Sequence, residues 1–238
     1  MTMTKTGLTG KMISGRVYPE IFPFEKDDSV LNLGCGLGPQ AVVYKGQYAS
    51  MVGVDINADR LEESKEFLAR YSIDNYETLV ANVEDVPLPS GSFDKAIAID
   101  IIQHVERPER VCAEAYRLLR DGGSILITFP TMHDRFADAM SLIKRTTLRK
   151  KRPPGSRQWN PDRSNHARSI SDWQSTMSEA GFYLVRSRAT TLFPPLHRYG
   201  IPRFWFSNDL IHSADRQLAS LPGLRGLGQA LMCVYTKA

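Results

Sequence analysis

Short apolar runs recur along the chain, separated by segments whose apolar residues follow a helical spacing. Runs that are apolar at almost every position are typical of strands buried on both faces of a sheet. They predict strands at Ser29–Leu33, Met51–Asp55, Glu77–Val80, Lys95–Ile99, Ser124–Phe129, Phe182–Arg188 and Leu231–Tyr235. Because helices fill the gaps, the pattern favours an α/β fold with a parallel sheet covered on both faces.

Helices are predicted between most of these strands. One spans about 57–71, and another begins near Pro108, a residue type favoured in the first turn of a helix. The second helix is expected to stop at Gly122-Gly123, since glycine commonly follows the last helical turn. A short amphipathic stretch covers 136–148, and a further helix is predicted from Ser171 to Gly181, which closes it.

The whole chain, residues 1–238, is predicted to form one domain with two insertions. An N-terminal segment (1–28) precedes a regular half (29–130), and a basic insertion (131–170) follows it. The second insertion, 191–229, has too many apolar residues for a disordered segment, and long connections inside a compact domain are usually functional. We interpret it as a lid or a membrane-docking element, with an extra core helix as the alternative.

Composition narrows the class of protein. With 238 residues, 42% of them hydrophobic, the chain can bury one sizeable core. Its three cysteines lack regular spacing, which argues against a disulfide framework and a zinc site and fits a reducing compartment. The polar N-terminus has no signal-peptide core, and no stretch is apolar enough to span a bilayer. We expect a cytoplasmic protein without a metal, with peripheral membrane association as an alternative.

The formal net charge of +4 is unevenly distributed. Residues 144–168 carry many lysines and arginines and a single acid, Asp162. A solvated loop is the simplest interpretation of such a stretch. The functional alternatives are contact with an anionic membrane surface, a phosphate-bearing substrate or nucleic acid.

A glycine-rich turn follows the first predicted strand, at Gly34-Cys35-Gly36-Leu37-Gly38, and the next strand ends at Asp55. Residues without a side chain let the backbone approach a ligand closely. A carboxylate at the tip of the next strand can accept hydrogen bonds from both ribose hydroxyls. The third glycine comes one position earlier than in the dinucleotide fingerprint, and Pro39 stands where that fingerprint needs glycine.

This arrangement resembles motif I and the following acidic motif of the class I S-adenosylmethionine-dependent methyltransferases, in particular the type 11, ubiquinone-biosynthesis-like enzymes of small molecules. Further segments resemble the family's later motifs in the same order: Val80–Pro89, Ser92–Ala98, Ile102–Val105 and Arg117–Ile127. The resemblance covers about Val30 to Phe129. It implies a Rossmann-like fold whose seven-stranded, mostly parallel sheet has a reversed last strand, with S-adenosyl-L-methionine as the cofactor.

The resemblance also implies a set of cofactor-binding residues: Asn32, Gly34, Cys35, Gly36, Gly38, Asp55, Ile56, Asn82, Val83 and Asp100. Asn32 stands where the family often has an acid, near the methionine part of the cofactor, and Asn82 replaces an acid beside the adenine. Both keep a hydrogen-bonding side chain and lose the charge. Cys35 is expected as a small side chain in the turn and not as a nucleophile.

The implied reaction is transfer of a methyl group from a sulfonium to a nucleophile. Alignment and exclusion of water can supply about 7–11 kcal/mol of barrier reduction in favourable cases. His104 follows the fourth strand at the carboxyl edge of the sheet, and we predict it as the base for a hydroxyl acceptor. A histidine that only packs and hydrogen-bonds at the start of a helix is the alternative.

The favoured acceptor is a small, lipophilic or lipid-linked molecule, methylated on oxygen. One alternative is an RNA or protein methyltransferase that uses residues 144–168. Base-methylating enzymes often carry Asn/Asp-Pro-Pro-aromatic after the fourth strand, where this chain has Asp100-Ile101-Ile102-Gln103, so nucleic acid is disfavoured. The other alternative is a binding protein on the same fold that catalyses no reaction.

Overall fold

The computed structural model describes residues 18–130, 168–189, 217–218, 221 and 230–238, which alternate between strands and helices. The strands are β1 (Ser29–Leu33), β2 (Ser50–Asp55), β3 (Tyr76–Val80), β4 (Phe93–Ala98), β5 (Leu119–Pro130), β6 (Phe182–Ala189) and β7 (Ala230–Lys237). The helices are α1 (Tyr18–Ile21), α2 (Pro39–Val43), α3 (Ala58–Ala69), α4 (Pro108–Leu118) and α5 (Ile170–Glu179). A single 3₁₀ turn, Ile102–His104, lies between β4 and α4.

The strands form one sheet in the order β3-β2-β1-β4-β5-β7-β6. All neighbouring pairs from β3 to β5 are parallel, whereas β7 is antiparallel to both β5 and β6. The predicted mostly parallel sheet with a reversed last strand is therefore confirmed. Strand order reverses between β1 and β4, and open α/β sheets bind ligands in the crevice at the carboxyl ends of the strands flanking such a point.

Successive strand residues pack into two hydrophobic cores on opposite faces of the sheet. Leu31 and Leu33 of β1 belong to one core, and Val30 belongs to the other. Ile127 of β5 and its neighbour Leu126 are divided in the same way. Side chains alternate between the faces of a strand, so a strand buried on both faces needs apolar residues at nearly every position.

Helix α5 is fixed to the sheet by an aromatic stack. The ring of Trp173 lies 4.7 Å from that of Phe129, nearly parallel to it. Arg168 places its guanidinium 4.9 Å from the Trp173 ring centroid and forms an ion pair with Glu109 of α4. Arg168 closes the basic stretch predicted from the sequence, and its charge is engaged in joining α4 to α5.

The predicted strands match the observed ones with shifts of their ends. The largest shift concerns the boundary between α4 and β5, because α4 ends at Leu118 and not at Gly122-Gly123. Leu119 already pairs with Phe93 of β4, and its carbonyl accepts a hydrogen bond from Lys237 Nζ at 2.8 Å. Pairing with β4 therefore ends the helix before the glycines are reached.

Several predictions concern residues outside the described ranges. The amphipathic stretch 136–148, the basic stretch apart from Arg168, and most of the insertion 191–229 lie there. Gln217, Leu218 and Leu221 of that insertion are described, and all are exposed. The lid or membrane-docking interpretation stays a prediction. None of the helices in the described ranges is long and apolar enough to cross a membrane.

Gly53 of β2 should tolerate no larger residue. A Cβ added there would overlap the hydroxyl oxygen of Tyr76 and lie 2.8 Å from Cys35 Sγ. We expect Gly53→Ala to lower the free energy of unfolding by about 1–3 kcal/mol, as overpacking of a core does. Urea denaturation would measure this. Without the clash, alanine would stabilise the protein by restricting the unfolded chain, so a more stable variant would contradict the packing described.

Tyr76→Leu provides the matched control, because it removes the ring atoms that the new Cβ would meet. The cost of Gly53→Ala should be smaller in the Tyr76→Leu background than in the wild-type background. An equal cost in both backgrounds would place the strain elsewhere in β2.

Candidate active site

The turn after β1 is built from glycines in the left-handed backbone region. Gly34 and Gly36 have φ values of 66° and 57°, which residues with a Cβ rarely adopt. The N–H groups of Gly34 and Cys35 both donate to the carbonyl of Val54, at 2.8 and 3.0 Å, so the turn extends the pairing of β1 with β2. Its backbone is thereby held at the carboxyl edge of the sheet.

Asp55 lies at the end of β2 and is tied to this turn. Gly36 N–H donates to Asp55 Oδ2 at 2.9 Å, and Asn57 N–H donates to Oδ1 at 3.0 Å. Asn57 in turn caps α3 by accepting a hydrogen bond from Arg60 N–H at 3.0 Å. Each carboxylate oxygen keeps further acceptor capacity. The glycine turn and Asp55, which are predicted from the sequence to bind the same ligand, are thus adjacent. The Asp55 carboxylate is held in a fixed orientation.

Two apolar side chains stand exposed beside this carboxylate. Ile56 follows Asp55 directly and is 73% exposed, and Val80 ends β3 with 55% exposure. Asp55 and Val80 are register partners across β2 and β3. Ile56 is among the cofactor-binding residues predicted from the sequence, whereas Val80 is not. Val80 could not be predicted in this place from the sequence, because only the register between β2 and β3 shows that it lies opposite Asp55.

The loop after β3 holds Asn82 and Val83 in different environments. Asn82 is exposed, and its Oδ1 accepts a hydrogen bond from Glu84 N–H at 3.0 Å, which fixes the turn. Val83 is buried and packs in the same core as Val54. Their predicted role beside an adenine ring stays a prediction, in which Val83 offers its backbone and not its side chain.

Asn32 and Cys35 support the glycine turn from inside the protein. Asn32 is only 1% exposed and donates from Nδ2 to Gln40 Oε1 of α2 at 3.3 Å. Cys35 is also buried, and burial raises the pKa of its thiol to about 12. The thiol is therefore neutral at physiological pH, which agrees with the interpretation that it is no nucleophile. Direct contact of Asn32 with a ligand stays a prediction.

Asp100 lies just beyond β4, on the other side of the strand-order reversal from the end of β2. Its N–H donates to Thr128 Oγ1 of β5 at 2.7 Å. The next residue, Ile101, packs against the glycine turn so closely that a Cβ at Gly34 would lie 2.6 Å from its side chain. The turns after β1 and β4 therefore touch, which brings Asp100 close to the glycine turn. Its predicted contact with the methionine end of the cofactor stays a prediction, with a residue that only caps a turn as the alternative.

His104 ends the 3₁₀ turn that follows β4, and its side chain is exposed. Its backbone N–H donates to the Ile101 carbonyl at 2.8 Å, and the neighbouring Ile102 is fully buried. The imidazole is thus carried on an anchored segment at the carboxyl edge of the sheet. Its role as a base stays a prediction.

A buried carboxylate fastens this segment to the loop after β3. Glu84 Oε1 accepts hydrogen bonds from Glu106 N–H at 2.9 Å and Arg107 N–H at 3.0 Å. Its Oε2 accepts from Arg107 Nε at 3.1 Å. Glu84 therefore joins the Asn82 loop to the segment that carries His104. Glu84 lies within the Val80–Pro89 motif, but the motif alone does not predict this connection.

A second carboxylate makes the same kind of connection from α4. Glu114 Oε1 accepts a hydrogen bond from Val86 N–H at 2.7 Å. Arg117 donates to Glu114 and to the carbonyls of Val86 and Leu88, at 2.9 and 2.8 Å for the two carbonyls. The loop between β3 and β4 is thus fixed to α4 by polar contacts along most of its length.

The described part of the chain contains no candidate metal site. No group of three or more histidine, cysteine, aspartate or glutamate side chains lies there in an arrangement that could hold a metal ion.

Comparison with known proteins identifies the family of the segment that forms this edge of the sheet. Residues 31–127 match the sequence model of a family described as "Methyltransferase domain". This segment is a class I S-adenosylmethionine-dependent methyltransferase domain. Its cofactor is accordingly S-adenosylmethionine, and the residues at the carboxyl edge fit that molecule. Asp55 offers acceptors for ribose hydroxyls, Ile56 and Val80 offer an apolar surface for a planar ring, and the glycine turn lets the backbone come close.

Curated relatives match about half of the chain or less. The ubiquinone/menaquinone biosynthesis C-methyltransferase UbiE of Rhizobium meliloti (strain 1021) is 34% identical over 129 residues, 50% of each chain. Phosphoethanolamine N-methyltransferase 2 of Caenorhabditis elegans is 31% identical over 113 residues, 44% of this chain and 24% of that protein. The chain thus spans half or less of the length of these relatives.

Solved structures show the same fold over a greater length. The YcgJ protein of Bacillus subtilis superposes with a TM-score of 0.62 at 16% identity, covering 94% of this chain and 97% of that one. At this identity the likeness concerns the fold alone.

The Glu84 connection should make stability depend on pH. Burial alone would raise the pKa of the Glu84 carboxyl, but the N–H donors of Arg107 and Glu106 and the Arg107 guanidinium outweigh it and hold the pKa below its ordinary 4.5. A lowered pKa in the folded state contributes stability above the ordinary pKa, and this stability is lost as pH falls through the lower value. Glu84→Gln should therefore lose less stability than wild type on acidification below about pH 5.

Urea denaturation at a series of pH values would measure this difference. Glu84→Gln should also be less stable at neutral pH by about 1–3 kcal/mol, since hydrogen bonds to a charged acceptor are lost. Glu63→Gln, at an exposed position of α3, is the matched control and should follow the wild-type curve. Identical acid profiles for Glu84→Gln and wild type would contradict the assignment.

Proposed function

We propose that the protein transfers a methyl group from S-adenosylmethionine to a small, lipophilic or lipid-linked acceptor, with an oxygen nucleophile favoured. The observation that carries the proposal is the Asp55 carboxylate, fixed by the Gly36 and Asn57 amides beside the exposed Ile56. An oriented ribose acceptor next to an exposed apolar side chain is the arrangement that an adenosine-containing cofactor requires.

The described residues divide the binding of the cofactor among them. Asp55 accepts from the ribose hydroxyls, and Ile56 and Val80 pack against the adenine. The glycine turn gives close backbone contact, and Asp100 faces the methionine end. When bound, the cofactor supplies a methyl group activated by a positively charged sulfur. The protein's task is then to orient the two reactants and exclude water, for which rigid placement of the turns after β1 and β4 is the requirement.

His104 is proposed as the base that takes the proton from the acceptor hydroxyl. Its exposed imidazole sits on the segment that Glu84 fixes beside the cofactor-binding loop. An imidazole is the side chain best suited to accept a proton near neutral pH. A lipophilic acceptor is supported by the sequence of the 191–229 insertion, which carries Phe204-Trp205-Phe206.

The proposal also concerns which atom of the acceptor, oxygen, nitrogen or carbon, receives the methyl group. The two relatives named above are by name a C-methyltransferase and an N-methyltransferase, and each is more than 30% identical to this chain over about half of its length or less. The domain is therefore compatible with different nucleophiles. We favour oxygen because His104 offers a base, which a hydroxyl acceptor needs more than an amine does.

Cofactor binding tests the first part of the proposal. Isothermal titration with S-adenosylmethionine and S-adenosylhomocysteine should show binding, and Asp55→Ala should weaken it about tenfold or more, since hydrogen bonds to a charged group are lost. Asp59→Ala, in the exposed first turn of α3, is the matched control and should bind as wild type does. Absence of binding to wild type at millimolar ligand, or equal weakening by both variants, would overturn the proposal.

Product analysis tests the proposed base. With a panel of hydroxylated lipophilic acceptors, mass spectrometry should detect O-methylated product. His104→Gln should lower kcat about 10²–10⁴-fold, the usual contribution of a positioned base, while leaving the affinity for S-adenosylhomocysteine unchanged. A small change in kcat would show that His104 is not the base. If only nitrogen or carbon acceptors were methylated, the proposal of an oxygen nucleophile would be wrong.

A further inference from the structure

Asp100 has an unusual backbone conformation at the edge of the cofactor crevice. In the described residues, the non-glycine residues with positive φ are Ser72, at 52°, and Asp100, at 55°. Ser72 lies in the turn after α3, away from the crevice. Aspartate enters the left-handed region more readily than most residues, but still at a cost in free energy. Such a conformation persists only where neighbouring contacts enforce it, and it is often found at functional sites.

The contact that enforces it comes from Thr128. The register between β4 and β5 ends at the pair Ala98 and Ile127, so the regular ladder supplies no further partner along β4. Thr128 Oγ1 accepts the Asp100 N–H at 2.7 Å instead. The Thr128 side chain is buried, as are those of its sequence neighbours in β5, Ile127 and Phe129. A hydroxyl at this place thus supplies the acceptor that the strand backbone no longer provides.

The conformation of Asp100 sets the course of the next residue. Ile101 packs directly against the glycine turn, where a Cβ at Gly34 would lie 2.6 Å from its Cδ1 atom. If Asp100 relaxed to an ordinary backbone conformation, the chain would leave β4 in another direction, and the contact between the two turns would change. The Thr128 hydroxyl is therefore linked, through Asp100 and Ile101, to the contact between the turns after β1 and β4.

We infer that Thr128 is a positioning residue for cofactor binding, whose hydroxyl holds Asp100 in the left-handed conformation that the cofactor-binding crevice requires. This inference rests on the proposed function. Without the hydroxyl, the free protein populates a relaxed turn, and the apparent affinity falls by the fraction that remains competent to bind. Glycine at position 100 adopts positive φ without strain, so the Asp100→Gly variant does not depend on Thr128 in this way.

A double-mutant cycle on cofactor-product affinity tests the inference. Thr128→Val keeps the shape of the side chain and removes the acceptor, whereas Thr128→Ser keeps the acceptor. Titration with S-adenosylhomocysteine should show about fivefold or more weakening for Thr128→Val, as expected for a partly buried donor left without its acceptor, and near wild-type affinity for Thr128→Ser. In the Asp100→Gly background, Thr128→Val should change the affinity by less than about twofold, because the strain is absent.

Amide hydrogen exchange without ligand gives an independent readout. The Asp100 amide should be protected in wild type and in Thr128→Ser, and should lose protection in Thr128→Val. If Thr128→Val does not fold, Thr128→Ala takes its place with the same expectations.

Equal weakening by Thr128→Val in the wild-type and Asp100→Gly backgrounds would overturn the inference, because Thr128 would then act through packing alone. Unchanged affinity together with lost amide protection would also overturn it. If wild type itself fails to bind the ligand while the Asp100 amide is protected as expected, the proposed function fails and the hydrogen bond stands.

Discussion

The hydrogen bond between the Gly36 amide and the Asp55 carboxylate is the contact on which the architecture of the site depends. It joins the ends of two neighbouring parallel strands at a distance of 2.9 Å. The glycine turn could follow many paths on its own, since glycine restricts the backbone little. A carboxylate fixed at the end of β2 selects one of them. The group that shapes the turn is therefore also the group that we propose to recognise the ribose.

The neighbouring loops are fixed in the same way, because a side-chain acceptor in each case accepts hydrogen bonds from backbone amides that lie outside the strands. Glu84 accepts the amides of Glu106 and Arg107, Glu114 accepts that of Val86, and Thr128 accepts that of Asp100. Buried carboxylates cost desolvation free energy, and several donors are needed to offset it. Each acceptor here lies far along the sequence from its donors, so the loops are fixed by the completed fold and not by local propensity.

Much of the fold could be predicted from the sequence because the central strands of the sheet, such as β1, are buried on both faces. Such strands are apolar at nearly every position, as in Val30 to Leu33, and stand out from their surroundings. Gly36 and Asp55 could be predicted as partners because a motif of known spacing joins them. The end of α4 could not, since Leu119 leaves the helix to pair with Phe93, a contact between distant segments.

The supporting residues of the site were hidden for a related reason. Threonine is common in strands, so Thr128 carries no signal until the end of the β4–β5 register places its hydroxyl opposite the Asp100 amide. Tyr76 likewise reads as an ordinary strand residue, although its ring fills the space left by Gly53. Asn32 is predicted from its place in a motif to contact the ligand. The sequence carries no sign of its hydrogen bond to Gln40 in the interior, and its contact with the ligand stays a prediction.

These contacts separate two problems that a methyltransferase has to solve. Asp55, Ile56, Asp100 and the glycine turn, which lie at the carboxyl edge of the sheet, are the groups we propose for the parts of the cofactor that stay the same whatever receives the methyl group. Recognition of the acceptor requires groups that face the methyl carbon from the opposite side. His104 is the residue of the described cofactor-binding half that we place there. If His104 is the group of this half that faces the acceptor, the remaining contacts that select the acceptor have to come from parts of the chain outside this half.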